Sequence, residues 1–213
     1  VLGPGCWGLT LAWLLNNNFE EITIWGRECD LNEDLIVNKH CSKPLEVQLD
    51  KKVEFTSDLK NAIEGADIIL SVVATSGVRS VCEQLKAAGI KSEQPLVNAS
   101  KGLELNTLMR MSEVIKDVLP NQKVVILSGP TLAKEVLQGK PTAASVACED
   151  MEVAEFVQKA CNVPNRFRLY TNSDVIGVEL GGSLKNVIAI ASGFAHSMEL
   201  GDNCMGTLLT RGM

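Results

Sequence analysis

Short apolar runs alternate along the chain with segments whose apolar residues recur at helical spacing. The short runs predict strands, and the periodic segments between them predict helices. The predicted strands are residues 21–25, 53–55, 67–73, 95–99, 124–127, 142–147 and 166–170. The predicted helices are residues 7–15, 59–63, 78–88, 108–118, 133–137 and 151–161, while residues 30–52 are expected to be irregular. Strands that alternate with helices indicate an α/β fold with a mostly parallel sheet.

The pattern changes after residue 171. Residues 175–195 form a long apolar stretch at helical spacing, and Asn172 or Ser173 is placed to cap it. We therefore expect an α/β domain over residues 1–171 and the beginning of an all-α domain over residues 172–213.

Composition narrows the class of protein. Apolar residues make up 46% of the chain and charged residues 22%, the balance of a soluble protein with a buried core. The net charge of −6 comes without a basic stripe, which argues against a nucleic-acid partner. The seven cysteines form no C-x-x-C pair, so reduced thiols and a cytoplasmic location are expected. No apolar run suggests membrane insertion, and His40 and His196 lack spaced metal ligands.

A glycine-rich motif, Gly3-Pro4-Gly5-Cys6-Trp7-Gly8, lies between an apolar pair and a helical pattern. It matches G-x-G-x-x-G, in which the first glycine permits a tight turn, the second lets backbone approach a pyrophosphate, and the third lets helix and strand pack closely. Amides at the helix N-terminus would then face the phosphates. The motif predicts a dinucleotide cofactor on a Rossmann-like sheet; a glycine-rich turn without a ligand is the alternative.

The next predicted strand ends in Trp25-Gly26-Arg27, where a strictly NAD-dependent protein would carry an acid for the ribose hydroxyls. The Arg27 guanidinium could accept a 2′-phosphate or stack on adenine, which slightly favours NADP over NAD. The alternative is an ordinary solvated arginine, because Glu28 and Asp30 lie close by.

Two polar segments follow neighbouring strands of the predicted sheet. Asn98-Ala99-Ser100-Lys101-Gly102 follows one strand, and Ser128-Gly129-Pro130-Thr131 follows the next. Ligands of open α/β folds bind at the carboxyl ends of the strands, so both segments could face one cleft. A lone lysine after a strand is, however, commonly a surface residue.

The long apolar stretch contains Gly181-Gly182, followed four residues later by Lys185 and Asn186. Each glycine inside a helix costs about 1 kcal/mol relative to alanine, so the pair suggests that something approaches closely. Helical side chains lean towards the N-terminus, which would place both polar residues over the bare turn. A lysine on an apolar helix is expected to be desolvated and suited to proton transfer; a snorkelling lysine is the alternative.

These motifs occur in a specific order along the chain. The order is GPGCWG, WGR, SKGLE, LSGPTLAKE, YTNSDVIGVELGGSLKNVIAIASG, LGDN and TRG. In this order, from Gly3 to Gly212, the chain resembles the NAD(P)-dependent glycerol-3-phosphate dehydrogenase family. The resemblance implies an oxidoreductase with a helical substrate domain that interconverts dihydroxyacetone phosphate and sn-glycerol 3-phosphate and feeds glycerophospholipid synthesis.

The resemblance also implies roles for individual residues. Lys185 matches the proton acceptor, with Asn186 beside it at the substrate, and Lys101 matches a lysine shared by cofactor and substrate. The residues expected to bind the cofactor are Gly3, Gly5, Cys6, Trp7, Gly8, Arg27, Lys101 and Ala133. Those expected to bind the substrate are Lys101, Gly129, Thr131 and Lys185.

Departures from the family pattern leave alternatives open. Cys6 replaces a small residue, and Val73-Ala74-Thr75 replaces a V-P-S turn. Only Val1 and Leu2 precede the glycine motif, and the family's substrate-side aspartate and its phosphate-binding Arg-Asn pair would follow Met213, so a fragment unable to turn over alone is expected. A dehydrogenase of the 3-hydroxyacid or 6-phosphogluconate type, and a non-catalytic redox sensor, are the competing hypotheses. The oligomeric state is left open, with a homodimer as one candidate.

Overall fold

The computed structural model describes residues 1–43 and 45–212. The strands are β1 Ile22–Trp25, β2 His40–Cys41, β3 Val47–Gln48, β4 Val53–Thr56, β5 Ile69–Ser71, β6 Leu96–Asn98, β7 Val124–Ser128, β8 Thr142–Ala147 and β9 Phe167–Asn172. The helices are α1 Cys6–Leu14, α2 Leu59–Ile63, α3 Val78–Ala88, α4 Met111–Val118, α5 Ala133–Leu137, α6 Met151–Cys161, α7 Val175–Ser197 and α8 Gly201–Gly212. The predicted alternation of strands and helices is confirmed.

The central sheet has the order β5-β6-β7-β8-β9, and every neighbouring pair is parallel except β7 and β8. Strands β1 and β4 form a second parallel pair. Leu2 joins the two parts, because it bridges Trp25 of β1 and Ser71 of β5 in parallel. The mostly parallel sheet expected from the sequence is therefore confirmed, with β8 as its point of reversal.

Helices cover both faces of this sheet. One buried cluster packs α1, α5 and α6 against it, and a second packs α2, α3 and α4 against the other face. Strand residues such as Val97 and Val125 are fully buried, as expected for a parallel sheet between two helical layers. This arrangement brings the carboxyl ends of β5, β6 and β7 to one edge.

Three local expectations differ from the structure. The helix expected from residue 108 begins at Met111, because Leu103 bridges Arg110 and Leu108 has a left-handed backbone, with φ of 58°. Residues 30–52 are not wholly irregular: they contain a π-helical turn at Asp34–Asn38 and the β2–β3 hairpin.

The cap of α7 is the third difference. Asp174 caps this helix, because its carboxylate accepts the Gly177 amide at 2.8 Å. Neither Asn172 nor Ser173 does so; the Asn172 side chain instead accepts the amide of Asp174, also at 2.8 Å. The cap is therefore one residue later than the nearer of the two predicted positions.

Helix α7 extends the chain beyond the sheet and packs against α8. Most of its large apolar side chains are exposed, including those of Leu184, Val187, Ile190 and Phe194. By length and composition alone it could cross a membrane, although Glu179, Lys185 and Asn186 interrupt its apolar residues. Its Glu179, however, is buried against the α/β part, with 7% of its surface exposed.

Candidate active site

The glycine motif forms a tight loop between Leu2 and α1. Gly3 has a left-handed φ of 108°, and a Cβ there would lie 3.1 Å from the carbonyl oxygen of Val72. A Cβ at Gly8 would overlap the carbonyl oxygen of Gly3, so the third glycine is needed for α1 to pack on the loop. A Cβ at Gly5 would meet nothing within 4 Å, which leaves open space where a ligand can approach the backbone.

The N-terminus of α1 suits an anion. Gly5 is the N-cap, and among the residues that the structure describes no side chain caps the helix there. The first amides of an α-helix have no partner within the helix, and the helix dipole favours negative charge at this end. The loop therefore fits the pyrophosphate of a dinucleotide in both shape and electrostatics.

Cys6 and Trp7, at the start of α1, have different surroundings. Cys6 lines a cavity of about 120 Å³ together with Pro4 and Asp30. The Trp7 ring instead packs edge-on against Phe167, with ring centroids 6.3 Å apart. Trp7 can therefore offer a ligand its backbone amide, while its indole ring belongs to the core.

Arg27 follows β1 and is engaged by its neighbour. Its Nε donates to Asp30 Oδ2 at 2.7 Å and its Nη2 donates to Asp30 Oδ1 at 2.8 Å. The hydrogen bond from Arg27 holds the pKa of the Asp30 carboxyl below its usual value. The Arg27 side chain is exposed, as expected for a solvated arginine. It also forms a bidentate ion pair with Asp30, which the sequence did not predict.

Lys101 connects the ends of two strands. Its Nζ donates to the carbonyl of Gly129 at 2.6 Å and to Thr131 Oγ1 at 3.3 Å. The segments after β6 and β7 therefore lie in contact at the carboxyl edge of the sheet. Thr75 donates to the Lys101 carbonyl at 2.9 Å, so the departure at residues 73–75 supports this loop.

Helix α7 crosses this edge at its glycine pair. A Cβ at Gly182 would lie 2.5 Å from Ser128 Oγ and 3.7 Å from Lys101 Cγ. A Cβ at Gly181 would meet nothing within 4 Å. Gly182 is therefore the glycine that permits the close approach, and Gly181 lies on the open side of the helix.

The two candidate lysines differ in exposure. Lys185 and Asn186 are exposed, whereas Lys101 is half-buried, so the expected desolvation of Lys185 is wrong. Burial, followed by the positive charge of Lys185, lowers the pKa of Lys101 below the ordinary lysine value. Both lysines therefore add positive charge at this edge of the sheet, where an anion could bind.

Glu179 is a residue whose role the sequence left undecided. Its carboxylate accepts Arg110 Nη1 and the Ser112 amide, each at 2.8 Å, and also the Ser112 hydroxyl. These bonds attach α7 to the start of α4. Ser183, one turn later, accepts the Gly102 amide at 3.0 Å. Neither contact has a sequence signal, because the partners lie 67 to 81 residues apart along the chain.

Ala133 begins α5, which packs against α1. The predicted cofactor residues Gly3, Gly5, Cys6 and Gly8 therefore surround the N-terminal turn of α1, with Ala133 on a neighbouring helix. Lys101, Gly129 and Thr131 converge on the carboxyl edge of β6 and β7, beneath Gly182 of α7.

This chain matches a known protein family. The model of the NAD-dependent glycerol-3-phosphate dehydrogenase N-terminus matches residues 1–154, and the model of its C-terminus matches residues 174–213. A curated glycerol-3-phosphate dehydrogenase (NAD(P)+) from Thermoanaerobacter sp. is 43% identical over 213 residues, which are 100% of this chain and 64% of that protein. This chain thus spans less than two thirds of that relative.

Solved structures of the same family are similar to this chain. Glycerol-3-phosphate dehydrogenase from Coxiella burnetii superposes with a TM-score of 0.83 at 32% identity, over 99% of this chain and 64% of that chain. The enzyme of the same name from Plasmodium falciparum superposes with a TM-score of 0.89 at 27% identity, over 99% and 62% of the two chains. The family expected from the order of the motifs is confirmed: this chain belongs to the NAD-dependent glycerol-3-phosphate dehydrogenases.

Proposed function

We propose that this chain is the cofactor-binding part, with the first substrate-binding helices, of an enzyme that interconverts dihydroxyacetone phosphate and sn-glycerol 3-phosphate. The observation that carries the proposal is that Lys101 is held by Gly129 and Thr131 at the sheet edge beneath Gly182 of α7, in a chain whose α1 begins at a glycine loop shaped for pyrophosphate. Residues 1–171 would form the NAD(P) domain and residues 172–213 the beginning of the helical substrate domain.

The cofactor would be bound mainly by backbone groups. The amides that begin α1, at Cys6, Trp7 and Gly8, would hold the pyrophosphate, with Gly3 and Gly5 leaving room for it. Arg27 would lie at the adenosine end, and Ala133 and Lys101 would border the cofactor at the other. When bound, NAD or NADP supplies or accepts the hydride at C2 of the substrate.

The substrate would bind next to Lys101 and Lys185. Lys101, fixed to Gly129 and Thr131, would orient the phosphorylated substrate. Lys185 would give a proton to the C2 oxygen in the reductive direction and take it back in the oxidative direction. Asn186 would hydrogen-bond the same region of the substrate. The lowered pKa of Lys101 matches a site in which a substrate anion offsets two neighbouring positive charges.

The cysteines support a reducing, cytoplasmic location. All seven are free in the structure, and burial raises the pKa of the Cys82 thiol to about 12. The product of the reaction would be the glycerol backbone for glycerophospholipids. The matched family models favour this assignment over a 3-hydroxyacid or 6-phosphogluconate dehydrogenase.

The first test is cofactor binding by this chain, measured by quenching of tryptophan fluorescence on addition of NADH or NADPH. The second is oxidation of NADH and NADPH in the presence of dihydroxyacetone phosphate, by the chain completed with the C-terminal region of the Thermoanaerobacter relative. Binding followed by substrate-dependent oxidation is expected. Failure to bind either dinucleotide, or binding without oxidation by a folded protein, would overturn the proposal.

The redox-sensor alternative is tested by Lys185→Ala, with Lys159→Ala as a matched control on the exposed surface of α6. Loss of general acid–base catalysis typically costs about 100-fold or more in rate. We expect Lys185→Ala to lower turnover by at least that factor while cofactor affinity stays within twofold, and Lys159→Ala to change neither. Unchanged turnover in Lys185→Ala would favour the sensor.

A further inference from the structure

We propose that Asp30 selects against a 2′-phosphorylated dinucleotide by occupying the guanidinium of Arg27. The inference rests on the proposed function, because it concerns the adenosine end of the same cofactor site. It reverses the slight preference for NADP that Arg27 alone suggests, and it makes Asp30 a specificity-determining residue.

The geometry of the ion pair carries the first step. Both carboxylate oxygens of Asp30 are used, at 2.7 Å from Arg27 Nε and 2.8 Å from Arg27 Nη2, and the Arg27 amide also donates to Oδ2 at 3.3 Å. A phosphate binds arginine through the same planar fork of parallel N–H donors. The carboxylate and a 2′-phosphate therefore compete for one set of donors.

The position of the pair carries the second step. A Cβ at Gly26 would lie 2.8 Å from Pro4 Cγ and 2.9 Å from Leu31 Cδ2, so the segment after β1 packs directly on the glycine loop. Asp30 lines a cavity of about 120 Å³ together with Pro4, Cys6 and Lys43. The carboxylate thus lies beside the loop that would hold the pyrophosphate, at the end of β1 where the adenosine ribose would bind.

Charge carries the third step. A phosphate monoester bears about −1.5 to −2 charges at pH 7, so it is repelled by a carboxylate that stays in place. Ribose hydroxyls carry no charge and can donate hydrogen bonds to a carboxylate, as acids do at this end of NAD sites. Asp30 therefore disfavours NADPH by blocking Arg27 and by repulsion, and does neither to NADH.

Dissociation constants for NADH and NADPH in wild type, Asp30→Asn and Asp30→Ser test this. Removing one opposing surface charge and freeing the fork should strengthen NADPH binding by about fivefold, while NADH affinity changes by less than about twofold. Glu28→Gln is the matched control, because it removes the same charge from a neighbouring exposed residue. Arg27→Ala combined with Asp30→Asn should abolish the gain.

Each outcome is decisive. The inference is overturned if the ratio of NADPH to NADH affinity in both Asp30 variants stays within twofold of the wild-type ratio. It is also overturned if that ratio shifts by the same factor in Glu28→Gln. The proposed function stands in either case. Wild-type protein that binds neither dinucleotide overturns the proposed function itself. Thermal melting of each variant identifies any that fails to fold, and the second Asp30 substitution then decides.

Discussion

The hydroxyl of Ser183 accepts a hydrogen bond of 3.0 Å from the backbone amide of Gly102 and donates one of 2.8 Å to the carbonyl of Glu179. One side chain thereby joins helix α7, which carries Lys185, to the loop that carries Lys101. Thr75 holds the same loop from the other side through the Lys101 carbonyl. The two candidate lysines are therefore positioned by one connected set of hydrogen bonds.

Replacing Ser183 by alanine should loosen this connection. The Gly102 amide would lose its acceptor, and such a loss costs about 1 kcal/mol of the free energy of unfolding. Urea denaturation would measure it, and hydrogen exchange at the Gly102 amide should accelerate. Ser92→Ala is the control, since that exposed hydroxyl bonds to its sequence neighbour Glu93. Equal stability of the two variants would contradict a joining role for Ser183.

The sequence predicted elements well wherever the signal is local. Helices α3 and α6 and strand β8 begin and end as expected, because their apolar spacing is regular and Asp150 caps α6 in the usual way. The cap of α7 was misplaced because residues 172–174 are all good caps by type, and the backbone decides between them.

The placement of the candidate site at the glycine loop and the sheet edge was predictable from the sequence, but the burial of its lysines was not. The glycine loop, Lys101 and Lys185 follow from motif order and from the parallel sheet. Which lysine is half-buried depends on where α7 crosses the sheet, and that crossing is set by Gly182 together with the contacts of Glu179 and Ser183. The partner of Glu179 is Arg110, 69 residues earlier, which no periodicity can specify.

Glu179 should be important for the docking of α7. Without this carboxylate, Arg110 keeps Glu113 as its partner, but the Ser112 amide loses its buried acceptor, which costs about 2 kcal/mol. We expect Glu179→Ala to lose about that much stability and Glu179→Gln to lose less, because the amide oxygen can still accept the Ser112 amide. Glu155→Gln disrupts an exposed pair with Lys159 and should cost under about 1 kcal/mol. Chemical denaturation of the three variants checks the order, and a Glu179→Ala loss no larger than that of Glu155→Gln would refute it.

Lys101 should give the protein an alkaline rise in stability. Its folded-state pKa is lowered by burial and by Lys185, so the folded chain releases this proton at a lower pH than the unfolded chain does. Between the two pKa values the unfolded state binds more protons, and the free energy of unfolding therefore increases with pH. The increase should be missing in Lys101→Met and retained in Lys159→Met. Parallel stability curves for wild type and Lys101→Met would show that the burial has no such effect.

The glycine pair of α7 offers a matched comparison within one helix. Alanine gains about 1 kcal/mol over glycine in a helix interior, and Gly181→Ala, with open space around it, should show that gain. Gly182→Ala should not, because its Cβ would lie 2.5 Å from Ser128 Oγ and must displace that hydroxyl or the helix.

Removing the obstacle should restore the gain. The Ser128 Cβ is 3.6 Å from the added methyl group, an ordinary contact, so Gly182→Ala should be tolerated in a Ser128→Ala background. A thermodynamic cycle over the two single variants and the double variant measures the coupling, which should favour the double variant by about 1 kcal/mol or more. If Gly182→Ala stabilises the wild-type protein as much as Gly181→Ala does, then α7 does not rest on β7 at this glycine, and the placement of Gly182 of α7 next to Lys101 loses its support.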